Sequence, residues 1–191
     1  MARTESHEKT IPEIGARLKA IGGDMLKIEY LENCLKQQLA NDARKWVHMN
    51  VADLYSIRLM YFEAAKNLDG AADCAVTYKD KMQILFSEAK MWIKSADYSK
   101  VHESFKKALA CANDREKEML KAQLKQEYLA VAEKFEKSSR NNNAIKVYDE
   151  LRVLNLLSPD EKDIVNTKLV ALYTKVGRIR EAMQLEQGMK K

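Results

Sequence analysis

Only 6 glycines and 2 prolines interrupt this chain of 191 residues, and that scarcity constrains the fold more than any other feature. Chain reversals draw heavily on these two residues, so most of the length has to run in long elements with few turns. No segment sustains the apolar–polar alternation of a half-buried strand, and no glycine-rich strand–turn–helix unit occurs. The expected fold class is all-α. Hydrophobic residues make up 46% of the chain and charged residues 32%, which excludes a disordered polyampholyte and a membrane-embedded bundle. The length holds one domain with a real core, and barely two small ones.

Apolar spacing divides the sequence into about 9–10 helices. Residues 1–10 are polar and read as a flexible tail, followed by a single helical domain over 11–191, with N-terminal helices to residue 50. IPEIGARLKAI, residues 11–21, is a short helix with Pro12 in its first turn, closed by Gly22-Gly23. From Asp24, Met25, Ile28, Leu31, Leu35 and Leu39 form a stripe. Asn41-Asp42 caps a long helix running to about residue 67, past Trp46, Val47, Val51, Leu54, Tyr55, Ile57 and Met60 to Phe62. Asp69-Gly70 marks the next turn, and a further turn is expected near 79–81. The remaining helices are expected at 81–95, 98–112, 114–139, 142–156, 159–176 and 178–189. Asp114 and Asp160 suit first turns, where a carboxylate meets free N–H groups.

Comparing turns reveals a repeat. In WIKSADYSKVHESFKKAL, FEKSSRNNNAIKVYDEL and YTKVGRIREAMQL, an aromatic precedes a short polar turn, and a small or β-branched residue follows nine positions after it. The pairs are Trp92/Val101, Phe135/Ala144 and Tyr173/Ala182, and Phe62/Ala71 reads as a fourth. Gly177 is then a hairpin corner, with Ile179 and Ala182 docking beyond it.

This pattern resembles the tetratricopeptide repeat (TPR), carried best by SADYSKVHESFKKALACAND with Tyr98, Phe105 and Ala108, and next by KVGRIREA. The resemblance covers roughly residues 52–189, as about four irregular repeats over 51–191. It departs from the family's period of 34, from its helix length over 114–139, from its small residue at Leu59 and from its closing proline, so related longer-helix solenoids, such as SNAP-like adaptors, stay open. The fold it implies is a right-handed stack of antiparallel helical hairpins, a TPR-like α-solenoid. It also implies a concave groove lined by the first helix of each hairpin. Those positions are Ser56, Met60 and Glu63, then Phe86, Lys90, Ile93 and Lys94, then Gln126, Leu129, Glu133 and Lys137, and finally Thr167, Ala171 and Lys175. Lys94, Lys137 and Lys175 each stand two residues after a repeat aromatic and would suit a protein or peptide partner bearing carboxylates. A cation in a helix's last turn is equally favoured by the helix dipole. The family's carboxylate clamp falls on Phe86, Lys90, Ala130, Ile164 and Lys168, so its asparagines are missing and that activity is not expected.

Little else points to chemistry. His7, His48 and His102 form no metal-binding pattern, and no Walker loop, GxGxxG or GxSxG occurs. Cys34, Cys74 and Cys111 lack CxxC spacing and read as free, mostly buried thiols of a reducing, cytoplasmic compartment. Met60, Met82, Met91 and Met183 read as core filling. No enzymatic activity, cofactor or metal is expected, and no run of residues approaches a membrane span. The net charge is +5, with eight basic against five acidic side chains over 151–191. This basic excess is too diffuse to favour nucleic acid or another acidic surface. The leading expectation is a scaffold or adaptor. A homodimer through the apolar N-terminal hairpin, 24–67, is the structural alternative.

Overall fold

The computed structural model describes residues 7–189, so residues 1–6 of the expected tail, and residues 190 and 191, lie outside the described residues. Among the described residues there are ten helices and no strand. They form two compact units, the first ending at Asn113 and the second beginning at Asp114. The first holds α1 (Ile11–Ala20), α2 (Asp24–Leu35), α3 (Asn41–Ile57), α4 (Tyr61–Asp73), α5 (Tyr78–Ser95) and α6 (Tyr98–Ala110). The second holds α7 (Asp114–Lys137), α8 (Asn141–Val153), α9 (Pro159–Lys175) and α10 (Ile179–Met189). Within each unit every helix packs on the next in sequence. Two- or three-residue turns make α3/α4, α5/α6, α7/α8 and α9/α10 antiparallel hairpins.

One turn design builds all four hairpins. The carbonyls of Tyr55, Trp92, Phe135 and Tyr173 each accept a hydrogen bond from the amide five residues on, at Met60, Asp97, Arg140 and Arg178. The residue just before that amide is left-handed in every case: Leu59 (φ 61), Ala96 (φ 62), Ser139 (φ 57) and Gly177 (φ 77). This is the Schellman closure of a helix C-terminus, which satisfies carbonyls that the helix itself cannot. Nine residues after each aromatic, Ala64, Val101, Ala144 and Ala182 are buried, so the second helix packs closely against the first. The repeat anticipated from sequence is present, but its first member is Tyr55/Ala64 rather than Phe62/Ala71. The corner aromatics are therefore spaced 37, 43 and 38 residues apart, at Tyr55, Trp92, Phe135 and Tyr173.

Several boundaries differ from expectation for local reasons. The helix expected to run unbroken from Asn41 to about residue 67 stops at Ile57, because Leu59 takes the left-handed conformation without a glycine. Gly70 lies inside α4 and marks no turn; a Cβ there would sit 2.8 Å from the His48 ring, so glycine makes room for α3. The next turn comes earlier than 79–81, since the Thr77 hydroxyl accepts from the Asp80 amide (3.1 Å) and starts α5 at Tyr78. The second helix ends at Leu35 and leaves Leu39 in the loop, where it still packs on the core. Met183 and Ile179 are exposed rather than core or docking residues. Cys34 is buried, while Cys74 and Cys111 are half-buried, and none of the three forms a disulfide among the described residues.

A second recurring device links successive hairpins inside each unit. Lys45 of α3 pairs with Asp80 of α5, and Lys125 of α7 pairs with Glu161 of α9 at 2.7 Å. Each lysine stands ten residues before its corner aromatic, Tyr55 or Phe135. Each acid is the third residue of its helix, beyond a capping Thr77 or Ser158. There the carboxylate meets both the lysine and the helix dipole.

Candidate functional site

The face that α1, α3 and α5 share in the first unit contains a cavity of about 520 Å³. On α3, Asp42, Lys45, Trp46, Met49 and Asn50 recur at three- and four-residue steps and so project on one side. Ile11 of α1 and Ile84 of α5 complete the apolar wall, and the Lys45–Asp80 pair bridges the rim. The site is held from beneath: Trp46 packs on the core formed by Ile14, Ile28, Leu31, Val47 and Val51. The Asn50 amide donates to the Trp46 carbonyl (2.8 Å), which turns that side chain along its own helix. Asp42 and Asp80 against Lys45 leave the rim with one net negative charge. This arrangement can seat an apolar side chain and position a cation beside it.

The expected groove residues are dispersed. Met60 is the residue just before α4 and packs on the core, with Ser56 and Glu63 half-buried nearby in sequence. Phe86 and Ile93 are buried; Phe86 meets Phe105 at 6.4 Å between ring centroids, and Lys90 lies over its ring at 5.4 Å. Lys94 is over Tyr61 at 5.6 Å, so its charge is engaged within the first unit. In the second unit Glu133 pairs with Lys168 at 3.5 Å, and the Thr167 hydroxyl donates to the Asp163 carbonyl (2.8 Å). Gln126, Lys137, Ala171 and Lys175 are exposed, and Leu129 is half-buried.

The cavity escaped the sequence reading for one reason. Counting from Phe62 instead of Tyr55 displaced the first hairpin by seven residues. With the correct corner, the positions assigned to Ser56, Met60 and Glu63 become Met49, Asp53 and Ser56, and Met49 lines the cavity. The signal was available in the spacing of Asp42, Trp46 and Met49.

Two further clusters lie around corner aromatics. In the first unit Trp92 Nε1 donates to Glu88 Oε1 (2.7 Å), which also accepts from the Ser104 hydroxyl (2.6 Å). Burial pushes the Glu88 carboxyl above its ordinary value. Lys66 and Lys100 cover the Phe62 ring at 4.6 and 4.9 Å, and Lys100 also lies 4.3 Å over Trp92. In the second unit the Tyr173 hydroxyl donates to Asp149 Oδ2 (2.8 Å), and burial raises its pKa to about 12. That cluster opens on a cavity of about 440 Å³ lined by Arg152, Lys162, Asn166 and Gln184.

No group of three or more His, Cys, Asp or Glu that could hold a metal ion occurs among the described residues, and none of their helices is long and apolar enough to cross a membrane. No family model and no curated protein matches the chain. It is similar to a solved structure from Podosopora anserina, described as a kinesin light chain with nearly identical TPR-like repeats. That comparison has 14% identity and a TM-score of 0.43, covering 93% of this chain and 90% of the other. A single-substitution variant of that protein gives 14% identity and a TM-score of 0.44 over the same shares. The hairpin architecture of this chain stands on its own helix contacts and its four like turns.

Proposed function

We propose that this chain is a non-enzymatic protein-interaction module that seats an apolar side chain of a partner segment between α1, α3 and α5. The observation that carries this reading is the cavity itself, with half-buried Trp46 and Met49 over an otherwise packed core. Large apolar groups clustered in a concavity and ringed by polar residues are the usual centre of an interface. The net negative rim favours a lysine or arginine beside the inserted group, the opposite charge from the acidic partner that the lysines at 94, 137 and 175 had suggested.

Affinity capture with the full chain tests this. Met49→Gln should weaken retention of the bound protein by about thirtyfold, the effect of losing a central contact of roughly 2 kcal/mol. Lys66→Gln, at an exposed position of α4, should leave retention unchanged, and both variants should keep the parent's circular dichroism. Equal retention by Met49→Gln and the parent contradicts the reading.

Exposed Met25 and Leu26, at the start of α2, support self-association as a second reading. Light scattering at high concentration checks it. A dimer that Leu26→Lys dissolves sustains it, and a monomer removes it.

A further inference from the structure

The cavity of α8, α9 and α10 holds a combination that packing alone does not account for. Asn166 is 5% exposed and interrupts the apolar stripe of Val165, Leu169, Leu172 and Tyr173 on α9. Its Oδ1 is shielded from solvent and has no hydrogen-bond partner among the described residues, and the same is true of Arg152 Nε on α8. Both side chains line the same cavity of about 440 Å³, beside Lys162. A buried acceptor and a buried donor without partners each cost stability, and a leucine, of the same branched shape, at position 166 would avoid that cost. Stability given up at a concave, polar site is the pattern expected where a ligand supplies the missing bonds.

The donor set selects the ligand. Arg152 Nε–H and the Lys162 ammonium call for an anionic acceptor, and Asn166 Oδ1 calls for an N–H. The nearby acids are already engaged: Asp149 accepts from Tyr173 and faces Arg152 at 3.6 Å, and Glu181, which lines the same cavity, pairs with Arg178 at 2.8 Å. A fully ionised phosphate has acceptors only and leaves the asparagine oxygen unpaired. A carboxylate next to an amide N–H meets both demands. We infer that this cavity is a second peptide-binding site, taking a carboxylate together with a neighbouring backbone amide. The carboxylate comes either from an acidic side chain inside a segment or from a chain's C-terminus. The inference extends the protein-interaction reading to the second unit and assigns its acidic partner chemistry to a place the sequence did not indicate.

Nuclear magnetic resonance on the ¹⁵N-labelled full chain tests it, reading the Arg152 Nε–H and Asn166 side-chain amide signals. Three six-residue peptides serve as probes: one with a single internal glutamate and both ends blocked, one with glutamine instead, and a glutamine peptide with a free C-terminal carboxylate. Saturable shifts with the first identify an acidic side chain as the source, and with the third a C-terminus. The fully blocked glutamine peptide should bind about tenfold more weakly, the effect of losing one charged hydrogen bond. Asn166→Leu should melt no lower than the parent yet bind about tenfold more weakly, and Arg152→Gln gives a second variant with the same expected loss. Saturation by neither carboxylate peptide overturns the inference. So does inorganic phosphate shifting the same signals equally, or unchanged affinity in both variants. These signals report on α8–α10 alone, so failure here is separate from failure of the α1–α3–α5 cavity.

Discussion

α3 and α7 are the same element used twice with different results. Aligned on their corner aromatics, Tyr55 and Phe135, they share the lysine ten residues earlier, Lys45 and Lys125. Each lysine reaches an acid at the third position of the next hairpin's first helix. They also share the left-handed corner at Leu59 and Ser139 and the buried alanine at Ala64 and Ala144. Around these fixed points they diverge. Asp42, Trp46 and Met49 of α3 line a cavity with two large apolar groups, while α7 carries Ala122, Gln126 and Leu129 at the same positions, and Ala122 lines a different cavity of about 480 Å³ with Lys121 and Lys125. The scaffold therefore rests on one set of positions and the surface chemistry on another. At the corresponding lysine position of α5 stands Met82, which is buried.

The largest test of the scaffold half of that comparison is Trp92→Ala, which removes a buried corner aromatic. It should cost about 3–5 kcal/mol in chemical denaturation. A loss under about 1 kcal/mol would show that the corners do not hold the hairpins. Ala144→Leu should cost about 1–3 kcal/mol by overpacking the α7/α8 contact. The same change at Ala182, which is 5% exposed on the last described helix, should cost less. The corner conformation comes next. Ala96→Gly should stabilise by about 1 kcal/mol and Gly177→Ala should destabilise by a similar amount, because a Cβ is disfavoured in the left-handed region. Equal melting temperatures in all three chains would contradict this. Lys45→Ala and Lys125→Ala should each cost under about 1 kcal/mol, since both ion pairs are partly exposed and screened.

The smallest effect is a pH dependence carried by a buried carboxyl of the first unit. Burial holds the Glu88 carboxyl above its ordinary value of 4.5, so the folded chain binds that proton more tightly than the unfolded one. Its stabilising contribution is complete below pH 4.5 and falls as pH rises through the folded value. Stability measured against pH should therefore decline less steeply in Glu88→Gln than in the parent over that window. Parallel curves would remove Glu88 as the cause.

Helix number and type were legible because few residues can break this chain, and three of four corners were legible because Trp92, Phe135 and Tyr173 recur with small partners. The first corner was not, since Leu59 turns the chain without a glycine and Phe62 offers a nearby decoy. Gly70 misled in the opposite sense: its role is set by His48, nineteen positions from Asn67, whose side chain bonds the His48 ring at 3.1 Å. The site depended on that first corner, so a seven-residue offset moved it from Met49 to Ser56. The significance of Arg152 and Asn166 depends on three helices meeting, and no spacing along one helix records it.

In the reading proposed above, a partner enters at the α1–α3–α5 cavity. The most direct measurement replaces Met49 of the full chain with a photo-crosslinking phenylalanine analogue, and Lys66 likewise as a control. The adducts formed in cells are then mapped by mass spectrometry. An adduct is expected at position 49, joined to an apolar residue flanked by lysine or arginine, and none at position 66. No adduct at position 49, or the same adducts at both positions, would contradict it.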